Sequence, residues 1–173
     1  MSKKPDFAYL LTRYILGTVM IAYGAIKILH LQFKLPPEVY TYELRQLDGV
    51  TVAWAFLGFS PWLSILLGVF EFIPGVLLLF RKTQLLGVVL LFPSLLVVFL
   101  INIAYDFLFH MQVFTGILLL LDLFLFIPGY KIFKEFYNRL LNQSSVSLIE
   151  VAINIVIICL VTALVIYNFK SMF

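Results

Sequence analysis

An all-α integral membrane protein is what this sequence predicts, and three observations carry the expectation. Hydrophobic residues make up 63% of the 173 positions, charged residues only 12%, and the apolar residues gather into runs long enough to cross a bilayer. An ordinary soluble domain is about 45 to 50% apolar and about 25% charged. A spanning helix needs about 20 predominantly apolar residues to cross roughly 30 Å of hydrocarbon. These proportions exclude a water-soluble globule, and the length leaves room for several spans and one substantial outer loop but not for a second domain.

Four apolar runs cover approximately 8–29, 61–80, 84–105 and 110–128, and a fifth covers about 147–168. The first resembles a signal peptide at its start, with Ser2, Lys3 and Lys4 ahead of apolar residues. Arg13 and Lys27 interrupt it and no small-residue cleavage site follows, so an uncleaved span is expected. Between the first two runs, Pro36 and Pro37 precede EVYTYELRQLDG, which reads as a short surface helix opened by proline and closed near Gly49. The following VTVAWAFLGF is too short to span; it is expected to dip into the membrane or to cover the bundle. Ser60 and Pro61 then form a cap and first-turn pair for the second span.

Lysine and arginine orient the chain, because cytoplasmic connections are enriched in them. Lys3 and Lys4 precede span one, Arg81 and Lys82 separate spans two and three, and Lys131, Lys134 and Arg139 separate spans four and five. All three clusters fall on one side, which places the amino terminus in the cytoplasm and the long loop, the Asp106 to His110 connection and the carboxyl terminus outside. Trp54, Trp62 and several tyrosines suit the outer interface. The net charge of +3 is spread over these clusters and not over one polar face, so it orients the protein in a membrane and does not mark a nucleic-acid footprint. The single cysteine, Cys159, excludes an intrachain disulfide and a paired-cysteine redox or metal motif.

The informative residues are those that are costly in hydrocarbon. Arg13, Gly17, Met20, Gly24 and Lys27 are spaced by steps of four and three, so at about 100° per residue they share one face of the first helix. Ser64, Gly68, Glu71 and Gly75 repeat this spacing in span two. Small residues let backbones approach, and intramembrane charges normally face a bundle interior. Both faces are therefore expected to point inward, at each other. Ordinary close packing with charges retained for folding explains the pattern as well as a ligand-facing site does.

Depth suggests the partners. Side chains lean toward the amino terminus of their own helix, so Lys27 reaches back into the membrane toward Glu71, near the midplane. Arg13 and Asp122 fall at similar depth and form a second expected pair. At the outer end of span three, Asn102, Tyr105, Asp106 and His110 form a polar strip if the helix continues that far; it reads either as a ligand entrance or as a wetted helix end. Glu150 suits the dipole at the start of span five and is assigned no chemistry. No metal site is expected. Haem ligation would need both His30 and His110, and nothing brings them face to face. The chain has no glycine-rich phosphate loop and no nucleophile, base and orienter set, so no catalytic residue is assigned and any redox chemistry needs an organic carrier or a partner.

The stretches TRYILGTVMIAYGAIKI, FLGFSPWLSILLGVFEFIPGVLLLFRKTQLLG and INIAYDFLFH, with LFIPG at the end of span four, resemble the DoxX-like family of small bacterial integral membrane proteins. The resemblance covers about residues 8–130 and is carried by Arg13, Gly24, Lys27, Glu71, Gly75, Asn102, Tyr105 and Asp106 in order. It implies a four-helix bundle in the bacterial inner (cytoplasmic) membrane. Two departures stand out: His110 replaces a position that is often basic in the family, and the fifth span is additional. The expected organisation is a four-span bundle over 1–130 with an outer loop at about 30–60, a cytoplasmic linker over 131–145, and a fifth transmembrane helix over 146–173.

The resemblance implies a subunit that binds quinone or another lipid-soluble ligand for a redox assembly, at most part of a quinone-linked oxidoreductase. Its ligand-binding or buried polar residues would be Arg13, Lys27, Glu71, Asn102, Tyr105, Asp106, His110 and Asp122. The alternative is a noncatalytic membrane scaffold or anchor whose fifth span docks a membrane or redox partner protein. A small transporter is a third reading, but no repeated architecture or pair of matched broken helices supports it.

Overall fold

The computed structural model describes residues 7–141 and 147–172, without the side chains of 140, 141, 150 and 168–172. Seven α-helices follow in chain order among them: α1 (Phe7–Ile28), α2 (Gly49–Phe59), α3 (Pro61–Leu79), α4 (Gln84–Ala104), α5 (Phe109–Phe126), α6 (Tyr130–Leu141) and α7 (Leu148–Met172). No strand occurs among the described residues. Four helical segments are long and apolar enough to cross a membrane: Phe7–Ile28, Pro61–Leu79, Gln84–Ala104 and Phe109–Arg139. A bilayer is the solvent such segments require, because a helix satisfies its own backbone polar groups.

The chain forms two compact units, Met1–Tyr130 and Lys131–Phe173. In the first, α1 packs along α3, α3 along α4 and α4 along α5, with a further contact between α1 and α5. The core is a ladder of leucines, Leu16, Leu78, Leu91, Leu95, Leu118 and Leu125, joined by Met20 and Val88. In the second unit, α6 occupies part of the segment expected as a linker, and α7 is a 25-residue apolar helix.

The α1–α3 contact is built on glycine. A Cβ placed on Gly24 would lie 2.6 Å from the Gly68 carbonyl oxygen and 2.6 Å from the Phe72 nitrogen, and one on Gly17 would lie 3.0 Å from the Gly75 oxygen. The backbones touch, as small residues at the spacing of one helical turn allow. A similar approach joins α3 to α4: a Cβ on Gly87 would lie 2.9 Å from both the Pro74 oxygen and the Leu78 nitrogen.

The long connection differs from its sequence reading. Pro37–Thr41 and Leu44–Gln46 are two short 3-10 turns, not one helix, and Gly49 opens α2 where a helix stop was expected. Asp48 is the reason: its carboxylate accepts the Thr51 backbone N–H at 2.8 Å and the Thr51 hydroxyl at 2.9 Å, capping the helix that follows. Gly49 itself lies against the Tyr105 backbone, and Gly58, at the other end of α2, lies against the Phe33 carbonyl, where no Cβ would fit. The short helix therefore runs across one end of the bundle, between the chain leaving α1 and the chain leaving α4. Ser60 precedes α3 as expected and Pro61 fills its first turn, but the Ser60 hydroxyl makes no capping bond; the Ser60 carbonyl instead receives the Leu63 N–H at 3.1 Å.

Candidate functional site

Lys27 of α1 and Glu71 of α3 form a buried ion pair in which the ammonium meets both carboxylate oxygens. Antiparallel helices make this pairing natural, because each side chain leans toward its own amino terminus and hence toward the other. The Ser64 hydroxyl donates to the Lys27 carbonyl at 3.0 Å and ties the end of α1 to α3 at the same level. The Tyr23 ring centroid lies 5.9 Å from the Lys27 nitrogen, and that ring stacks with Phe114 of α5 at 6.0 Å. The ammonium is thus held by two anionic oxygens and an aromatic face, which is how a membrane interior tolerates it.

Beside this pair the bundle holds a cavity of about 620 Å³, a size typical of small-molecule sites. Its walls are α1, α3, α4 and α5, and its roof is α2, which contributes Trp54, Phe56 and Leu57. The lining is mostly leucine, valine and aromatic, with Lys27, Glu71, Gln32 and Asn102 as its few strongly polar side chains. Asn102 is buried and donates to the Thr115 hydroxyl at 3.1 Å, and the Thr115 hydroxyl donates in turn to the Met111 carbonyl at 3.0 Å. The Gln32 Oε1 is buried with no hydrogen-bond partner among the described residues. A ligand carrying a hydroxyl or N–H in this cavity would satisfy that acceptor, whose isolation otherwise costs about 1 to 3 kcal/mol. Phe33, whose φ of 61° turns the chain sharply, packs edge-on against Trp54 at 6.0 Å and holds this corner.

The remaining sequence-predicted residues lie elsewhere. Arg13 is buried but donates to Gln84 Oε1 at 2.8 Å and not to Asp122. The same lean that brings Lys27 to Glu71 carries Arg13 toward the start of α1, where the start of α4 supplies Gln84. Asp122 is wholly buried on α5, and neither carboxylate oxygen has a partner among the described residues. The polar strip does not form as one surface. The α4 helix ends at Ala104, Asp106 takes φ 50°, and α5 starts at Phe109. Asn102 consequently points inward, while Tyr105, Asp106 and His110 are exposed and do not line the cavity. Gln32 was not singled out by sequence reasoning and Trp54 was read only as an outer-interface aromatic; no periodic signal marks them as cavity residues, since both lie outside the spanning helices. Among the described residues no group of three or more His, Cys, Asp or Glu could hold a metal ion.

The chain is similar to a protein of Bacillus subtilis (strain 168) named "Uncharacterized protein YwoB", at 34% identity over 95 residues. The match covers 54% of this chain, and the chain spans 60% of that relative's length. No family model and no solved structure matches the chain. The similarity therefore says that a related sequence exists in a second protein and leaves the chemistry to the site itself.

Proposed function

We propose that the protein is a DoxX-like membrane subunit that binds quinone or a similar lipid-soluble ligand for a redox assembly. The observation that carries this reading is the apolar cavity of about 620 Å³ with the Lys27–Glu71 pair in its wall. A bundle whose charges served folding alone would close around them with side chains. A flat ring with carbonyl or hydroxyl groups fits a cavity that is apolar nearly throughout and polar at few points, where Lys27, Glu71, Gln32 and Asn102 fix its orientation. The residues present suit binding and orientation; electrons would come from and go to a partner, with α7 as a fifth span offering the docking surface. The protein would sit in the inner membrane of a bacterium with its amino terminus in the cytoplasm, as the basic clusters direct.

Glu71→Gln tests the reading when combined with Lys27→Met. Glu71→Gln alone leaves an unpaired buried ammonium and should cost about 3 to 5 kcal/mol. The double variant removes both charges and should recover most of that stability. Copurifying lipids are extracted from each protein and identified. Under the ligand reading the double variant is stable yet loses the copurifying quinone; a stable double variant with wild-type ligand content, or a wild-type protein that carries no lipid-soluble ligand, refutes it.

A further inference from the structure

The most exposed of the cavity's lining residues gather on one side of it. Among its lining residues, Phe56 is 69% exposed, Phe70 56%, Val97 51% and Leu90 45%, and all four belong to α2, α3 or α4. The residues contributed by α1 and α5 are less exposed: Met20 is at 2% and Leu118 at 5%, and Tyr23, Met111 and Phe114 are half-buried. Phe70 lies at the middle of α3, and Leu90 and Val97 flank the middle of α4, so this opening falls at membrane depth and faces hydrocarbon.

The helix pair explains why the gap is there. At Gly87 the backbones of α3 and α4 touch, and from Leu90 onward the facing side chains line the cavity. Within the second region stands Pro93, an interior proline of α4 that itself lines the cavity. Proline has no N–H to donate to the carbonyl four residues back and its ring crowds that carbonyl, so the helix is weakened at this turn. The pair is thus in backbone contact at Gly87, and the turns that follow present cavity-lining side chains, with α2 as the roof.

We infer that the ligand enters the cavity sideways from the bilayer, between α3 and α4 past Phe70, Leu90 and Val97, and that its apolar tail stays in this opening. The inference rests on the cavity being a ligand site. It narrows the ligand to a molecule with a compact polar head, which reaches Lys27, Glu71 and Gln32, and a hydrocarbon tail, which remains among lipid chains. A water-soluble ligand has no use for such an opening.

The two tryptophans make the test direct, because Trp54 lines the cavity and Trp62 does not. Trp62→Phe leaves Trp54 as the reporter, and Trp54→Phe leaves Trp62 to report quenching from the bilayer at large. Both proteins are placed in phosphatidylcholine vesicles and mixed rapidly with a benzoquinone carrying a decyl tail. The expected result is a saturable quenching component seen with Trp54 alone. Leu90→Phe with Val97→Phe, which narrows the opening at two exposed positions, should slow its onset and its reversal by about tenfold. Leu100→Phe, exposed but outside the cavity lining, should change neither. A saturable component with unaltered rates in the double variant, or equal slowing by Leu100→Phe, overturns the sideways route and leaves the site standing. Absence of any saturable component overturns both.

Discussion

Three buried positions, Gly24, Gly68 and Asp122, separate what a residue's type reveals from what its surroundings decide. Gly24 and Gly68 were legible in the sequence because each falls about one turn from a charged residue, Lys27 or Glu71, and the structure brings their backbones together. Gly24→Ala should lower thermal stability in detergent by about 1 to 3 kcal/mol, because the added carbon meets backbone that cannot rotate away. Leu100→Phe, on an exposed face, should leave the melting temperature unchanged. Asp122 shows the reverse case. Depth along the span suggested Arg13 as its partner, but direction of lean mattered more than depth, and Arg13 binds Gln84. The carboxyl is left among Leu118 and Leu125 without a partner among the described residues. Asp122→Val should therefore keep or raise the melting temperature, since removing an unsatisfied buried polar group relieves about 1 to 3 kcal/mol; a clear fall would mean that the carboxyl has a role the folded protein depends on.

At the scale of elements, the long apolar helices are readable from periodicity and length, and the helix that roofs the cavity is not. Glycine usually closes a helix, which is why Gly49 read as a stop. Its place here is set by the Tyr105 backbone, more than fifty residues away in the chain, and no local pattern encodes such a contact. Asp48 supplies the missing signal through its two bonds from Thr51. Those bonds favour the ionised form and hold the Asp48 carboxyl below the usual carboxylate range. A folded pKa below the unfolded one adds stability that is complete above the ordinary carboxylate pKa and is lost as pH falls through the folded value. Trp54 fluorescence should therefore report loosening of α2 on acidification below the carboxylate range. Asp48→Ala should show the loosened signal at neutral pH and lose the acid step. An acid step that persists in Asp48→Ala would assign it to another group.

For the whole molecule the number of crossings turns on α7. Four segments meet the requirement for a span among the described residues, and α7 adds a largely apolar helix of 25 residues after a connection that carries Lys131, Lys134 and Arg139. With either count the three basic clusters share one side, as the bias of lysine and arginine requires; if α7 crosses as well, the carboxyl terminus lies on the other. If α7 lies along the surface, the carboxyl terminus returns to the side of Lys82. Cys159 is the only native thiol, so Cys159→Ser provides a background on which single cysteines report position. Lys82→Cys should be shielded from a membrane-impermeant maleimide in intact cells and labelled after permeabilisation. Arg45→Cys, in the exposed loop, should be labelled at once. A cysteine appended after Phe173 should behave like Arg45→Cys for five crossings and like Lys82→Cys for four. The outcome also fixes where a partner would meet the protein: with five crossings, α7 presents its apolar sides to other helices within the bilayer, whereas with four, the segment from Lys131 onward would lie wholly on the cytoplasmic face.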